Sequence, residues 1–139
     1  MSSFKVFTAA VGSAASLLHM SKTTNQTAQD ESTEARKAIC ILNSEPNEVA
    51  KGTVYFEQEG IFAKTHVTGT FSGLKSNFKH GFHVHQWGNL SKGCVTAGPH
   101  YNPYKLTHGG PTETVRHVGD LGNVESDEDG NAKYELYDS

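Results

Sequence analysis

The sequence is poor in several residue types, and each shortage removes a class of function. Only two cysteines occur, Cys40 and Cys94, with no C-x-x-C spacing, so neither a cysteine zinc knuckle nor a thioredoxin-type redox pair can be built. No run approaches the roughly 18 apolar residues that a bilayer-spanning helix requires, so no membrane association is expected. No basic cluster appears, and the formal net charge of −3 supplies no electrostatic footprint for DNA or RNA. No stretch carries the 3.6-residue apolar period of an amphipathic helix. The first acidic side chain is Asp30. Residues 1–20, with Lys5 followed by small and weakly apolar residues, therefore read as a signal or transit segment, the alternative being a plain disordered tail. The cytoplasm is the favoured location, with secretion or a mitochondrial destination following if that segment is a targeting peptide.

Present in excess are eight histidines and fourteen glycines in 139 residues, enough chain for one domain with one core. Residues 21–36 are polar and charged with almost nothing apolar, which reads as a disordered linker, and the domain is expected over 37–139. Strand candidates follow at 37–43, 52–59, 61–71, 79–87, 118–124 and 132–137, separated by turn compositions such as Ser44-Glu45-Pro46-Asn47 and Asp129-Gly130. In 61–71 the alternation of Val67, Gly69 and Phe71 with His66, Thr68 and Thr70 marks a strand with one buried face. Short strands without helices argue for an all-β, antiparallel sandwich or barrel. Between 88 and 117 lies a long aperiodic stretch rich in Gly, Pro, His and Asn, and such loops in compact domains are usually functional.

In His83-Val84-His85 two imidazoles two residues apart on a strand share a face, and form a chelating pair. His100, His108, His117 and Asp120 follow, in or beside the aperiodic stretch. Imidazole nitrogens suit copper and zinc, and three nitrogens with one carboxylate oxygen make the closed tetrahedral set that zinc accepts. A single histidine here would more often be a turn cap or a solvated side chain; the whole constellation weakens that reading. His80 has the parity of Phe82 and Val84, so it is expected packed in the core and hydrogen-bonded, whereas His66 and His19 are expected in solvent. Trp87 and Tyr101 read as packing aromatics beside the loop.

The motifs His83-Val84-His85, Gly98-Pro99-His100-Tyr101-Asn102-Pro103, His108-Gly109-Gly110-Pro111 and Arg116-His117-Val118-Gly119-Asp120-Leu121-Gly122-Asn123 resemble, in order, those of the copper,zinc superoxide dismutases. The resemblance implies copper held by His83, His85 and His100, zinc held by His100, His108, His117 and Asp120, and His100 as the catalytic bridge between them. It implies superoxide as substrate, disproportionated to oxygen and hydrogen peroxide, with a homodimer and a copper chaperone as partners. It implies an eight-stranded Greek-key barrel or sandwich, a buried Cys40 and a Cys94 that pairs with a later cysteine. The family pattern continues beyond Ser139, so about six of the eight strands are expected here. A fourth copper histidine, an arginine beside the copper and a charged loop are then missing, and dismutation by this chain is expected to be slow or absent. The alternative is a non-enzymatic metal-binding or protein-interaction module with the dismutase fold.

Overall fold

A computed structural model describes residues 34–43 and 49–139. The expected targeting segment at 1–20, His19, most of the linker and the turn at 44–47 lie outside the described residues. Among the described residues seven strands follow in order: β1 (Ala35–Asn43), β2 (Lys51–Glu59), β3 (Thr65–Ser72), β4 (Lys79–His83), β5 (Ser91–Cys94), β6 (Asp120–Glu125) and β7 (Ala132–Asp138). A short 3-10 turn, Val95–Ala97, follows β5. β1, β2, β3 and β7 form one antiparallel sheet in that order, and β4 pairs with β6 in a second. The result is an open two-sheet sandwich, not a closed barrel. β1 begins two residues earlier than the composition suggested, because Ala35 and Arg36 pair with Glu59 and Gln58.

The alternation read in the sequence has its physical cause in the core. Val67, Gly69 and Phe71 are buried on one side of β3, and Cys40, Leu42 and Val54 join them from β1 and β2. Phe82 of β4 closes the cluster from the other sheet, edge-on to Phe71 at 5.7 Å and to Tyr134 at 4.8 Å between ring centroids. His80 is buried as its parity predicted, with Nε2 at 3.3 Å from the Lys75 carbonyl. His66 departs from expectation. It is only partly exposed, because its ring stacks on Tyr137 at 4.3 Å and Nε2 lies 2.8 Å from the Glu135 carboxylate.

The connections that cross between the sheets, 73–78 and 126–131, are bonded to one another. Leu74 N–H donates to the Gly130 carbonyl at 3.0 Å, Asn77 N–H to the Asp127 carbonyl at 2.9 Å and Ser126 Oγ–H to the Lys75 carbonyl at 2.6 Å. Gly130 must be glycine on two grounds: its φ is 76°, and a Cβ there would lie 2.3 Å from the Leu74 carbonyl oxygen.

Besides the start of β1, three strand boundaries differ from the sequence reading by two residues or more. The third strand starts at Thr65 instead of 61, because Gly60 at φ 87° opens a turn closed by Ala63 N–H on the Gly60 carbonyl. β4 ends at His83, and β6 begins only at Asp120, since 117–119 turns to present its side chains. β5 lies inside the stretch read as aperiodic, where its short length and lack of apolar residues left no period to detect. No disulfide joins the two cysteines: Cys40 is in the core and Cys94 at the end of β5.

Phe82 packs from the two-stranded sheet against two aromatic rings of the four-stranded sheet, Phe71 and Tyr134. Phe82→Ala should therefore destabilise the fold by about 3–5 kcal/mol. Urea unfolding should show a lower midpoint with an unchanged slope, and a variant within 1 kcal/mol of the parent would contradict this packing.

Candidate metal centre

The site is assembled by backbone before any side chain acts. Past the end of β4, Val84 N–H donates to the Gly119 carbonyl at 2.8 Å, Tyr101 N–H to the Val84 carbonyl at 2.8 Å, and Gly119 N–H to the Tyr101 carbonyl at 2.9 Å. These three bonds form a closed ring that ties together the segments carrying His83 and His85, His100, and His117 with Asp120. The approach is so close that a Cβ on Gly119 would stand 2.3 Å from the Val84 oxygen. Gln86 N–H and Trp87 N–H continue the contact onto the Pro99 and Ala97 carbonyls, both at 2.9 Å.

A β-bulge then sets the register. On β4, Gly81 and His83 are two positions apart, while their partners Asn123 and Asp120 are three apart. The extra residue on β6 sits beside Gly122, whose φ of 89° is the conformation such a bulge demands. In consequence Asp120 lies directly opposite His83, with its side chain fully buried.

A buried carboxylate must be met by donors, and this one is. The Gly109 and His117 backbone N–H groups donate to Oδ2 at 3.2 and 3.0 Å. Three imidazoles also converge on it through the same ring atom. The Nδ1 of His100 lies 2.7 Å from Oδ1, that of His108 2.9 Å from Oδ2, and that of His117 3.2 Å from the carboxylate. Burial alone would raise the Asp120 pKa, but the two amides, His100 and His108 outweigh it and bring it down to about 2.

The loop before His108 is held by Asn102, whose amide pairs with both backbone groups of Leu106 at 2.8 and 3.0 Å. His83 stacks on His100 at 4.0 Å with an interplanar angle of 19°, and His85 meets His100 edge-on at 5.2 Å. The Nδ1 of His85 is 2.8 Å from the Gly98 carbonyl. The tautomer that donates there keeps the lone pair on Nε2. Burial first, then the neighbouring His100, lowers the His83 pKa to about 4, and burial likewise lowers that of His100.

These side chains fit a metal ion on two observations. One ligand atom each from His83, His100, His108 and Asp120 lies within 4.8 Å of the others. A tetrahedral zinc with bonds of about 2.0–2.1 Å needs ligand atoms roughly 3.3 Å apart. The Nδ1 atoms of His100 and His117 are 3.4 Å apart, and both sit close to Asp120. The second observation is His83 Nδ1, a buried nitrogen with no hydrogen-bond partner among the described residues. All six residues singled out in the sequence are thus neighbours, with His83 closer to the His108 and Asp120 side than a clean division into two sets would require. Gly119, Gly109 and Asn102 stand inside the motifs, but their backbone and amide contacts carry no local signal. Arg116 opens the fourth motif, but no local signal shows that it donates to three carbonyls of the 117–120 turn.

The β-sandwich gathers imidazoles around one buried carboxylate, a set of side chains that could hold a metal ion. Residues 50–139 match the family model described as copper/zinc superoxide dismutase (SODC). Curated proteins named superoxide dismutase [Cu-Zn] are similar to this chain. The one from Neurospora crassa is 50% identical over 103 residues, 74% of this chain and 66% of the relative. That from Cordyceps militaris is 48% identical over the same length and the same shares. That from Paramecium bursaria Chlorella virus 1 is 46% identical over 116 residues, 84% of this chain and 59% of the relative. The chain belongs to the copper/zinc superoxide dismutase family. It spans 59% to 66% of the length of these three relatives.

The lowered pKa values carry a pH dependence with a definite sign. With folded values below the ordinary 6.5, His83 and His100 bind fewer protons folded than unfolded. The contribution of His83 is present above pH 6.5 and lost as pH falls toward about 4, that of His100 is lost as pH falls below 6.5, and that of Asp120 is lost from 3.8 down through about 2. Metal-free protein should therefore show a urea midpoint that drops between pH 7 and pH 4.5, with a shallower drop in His83→Gln. A flat midpoint across that window would show that these imidazoles are not held neutral by burial.

Proposed function

We propose that this chain disproportionates superoxide to oxygen and hydrogen peroxide, with copper held by His83, His85 and His100 and zinc by His100, His108, His117 and Asp120. The observation that carries this reading is the convergence of three imidazole Nδ1 atoms on the one buried carboxylate of Asp120, with His83 stacked on the His100 ring and His85 packed edge-on against it. When bound, copper would supply the one-electron oxidation and reduction of superoxide, and zinc a fixed charge without redox chemistry.

The chain's own residues have separable tasks in this scheme. Burial keeps His83 neutral far below physiological pH, so its lone pair is available to a metal without competition from a proton. The Gly98 carbonyl fixes the ring of His85 and its tautomer. His100 belongs to both sets: its Nδ1 is committed to the Asp120 side, which leaves Nε2 as the atom able to hold a proton and pass it to the reduced product. Asp120 contributes the anionic ligand, already ionised and oriented by two backbone amides.

Zinc should be retained stoichiometrically on dialysis of the purified full chain. Asp120→Ala should lower zinc affinity by at least about ten-fold, since even outer partners of metal ligands are worth 10–100-fold. Metal analysis checks this, and unchanged zinc content in the variant would remove Asp120 from the ligand set. Copper- and zinc-loaded protein, assayed against free-copper controls, should consume superoxide, if only slowly, and substituting His83, His85 or His100 should abolish that activity. If both metals bind and no superoxide is consumed, the enzyme reading fails and a metal- or protein-binding module takes its place.

A further inference from the structure

The guanidinium of Arg116 is the most heavily engaged cation among the described residues, and it touches no ligand atom. Its Nη1 donates to the carbonyls of His117 and Val118, each at 3.3 Å, and of Asp120 at 3.1 Å. Its Nη2 pairs with Asp138 at the end of β7, in the other sheet. Both partners are largely buried, with side chains 11% and 15% exposed. The three carbonyls belong to the turn that carries His117 and Asp120, which is closed by Asp120 N–H on the His117 carbonyl at 3.1 Å. That turn also aims the His117 N–H at the Asp120 carboxylate.

We infer that Arg116 is a positioning residue for zinc: anchored on Asp138, it fixes the 117–120 turn in the shape that brings His117 and Asp120 onto one ion. The inference rests on the zinc set proposed above. Two features make arginine the residue needed. Carbonyls gathered on one side of a tight turn repel one another, and a single planar cation placed among them removes that repulsion. Its fork also reaches a carboxylate through a separate nitrogen, which a lysine ammonium, as a point charge on a flexible stem, cannot do in the same geometry. Because Asp138 is part of β7, the turn is referred to the four-stranded sheet and not only to its own loop. A ligand pair held in place before the ion arrives loses less conformational freedom on binding.

The test is zinc affinity of the full-length protein, measured with zinc alone against a chromophoric chelator, with cobalt(II) absorption as a report on ligand geometry. Arg116→Met should lower zinc affinity about 10–100-fold and weaken the visible absorption of the tetrahedral cobalt form. Asp138→Asn, which leaves the carbonyl contacts in place, should give a smaller loss in the same direction. Arg116→Lys should recover little of the affinity. A purely structural arginine would lower the melting midpoints of the zinc-free and zinc-loaded proteins equally, leaving affinity and cobalt spectrum unchanged, and that result would overturn the inference. So would full rescue by lysine. If Arg116→Met does not fold, Asp138→Asn decides, since parent-like zinc affinity in that variant removes the anchor on which the inference depends. Asp120→Ala in parallel separates the two levels. Loss of zinc there with none in the Arg116 and Asp138 variants refutes the positioning role alone, whereas a parent chain that holds no zinc refutes the zinc set itself.

Discussion

A carboxylate with no exposed surface is the constraint on which this site depends. Burying the Asp120 charge without compensation would cost several kcal/mol, and the fold removes that cost by surrounding the charge with donors from three separate segments. The Gly109 amide brings in the segment after His108, the His117 amide closes the local turn, and the Nδ1 atoms of His100 and His108 arrive from the long loop. Each donor carries with it the segment to which it belongs. The aperiodic stretch from 95 to 119 has few apolar residues to order it, so the electrostatic demand of one buried anion, together with the backbone ring at Val84, Tyr101 and Gly119, gives it a defined path. Removing the carboxylate would leave several buried donors facing one another.

Sheet and loop divide the work differently from the usual rigid scaffold and mobile loop. Only His83 and Asp120 lie on paired strands, and the bulge at Gly122 puts them opposite each other. The other four imidazoles sit on backbone that pairs with itself through single bonds. His85 and His100 form an isolated bridge, and Gly98, at φ 75°, brings its chain so close to Trp87 that a Cβ would lie 2.6 Å from the indole. The glycines of this region therefore mark close approaches of backbone to backbone or to a ring, and are not simply flexible.

Much of this was readable from the sequence because it rests on short-range periodicity. The alternation in β3 and the parity that sends His80 and Phe82 inward while His83 and His85 face the loop both follow from a two-residue repeat. The six candidate ligands were legible because histidine and aspartate at those spacings have few other reasons to gather. What could not be read was long-range. No local signal shows that β4 stops at His83, since Val84 to Trp87 keeps a strand-like composition and pairs with a loop. Nor does one show that Arg116 reaches Asp138, 22 residues away along the chain. The stacking of His66 on Tyr137 is a cross-strand contact fixed by the β3–β7 register, which emerges only once the chain has crossed between sheets and returned.

The placement of the core relative to the site has a consequence for how metal and fold are coupled. The buried apolar cluster runs from Cys40 and Leu42 through Val54, Val67 and Phe71 to Phe82, Leu121 and Val124, and contains none of the six candidate ligands. Its contribution, of the order of 25 cal/mol per Å² of apolar surface removed from water, is present whether or not an ion is bound. Along the chain the ligands adjoin it where His83 follows Phe82, where Val84, packed against the cluster, separates His83 from His85, and where Asp120 precedes Leu121. Binding energy at the site is thus delivered into the loop and the 117–120 turn, while the sandwich is held by packing. An ion bridging segments that otherwise share one ring of backbone bonds would order mainly those segments, so their local stability should depend on metal far more than that of the four-stranded sheet.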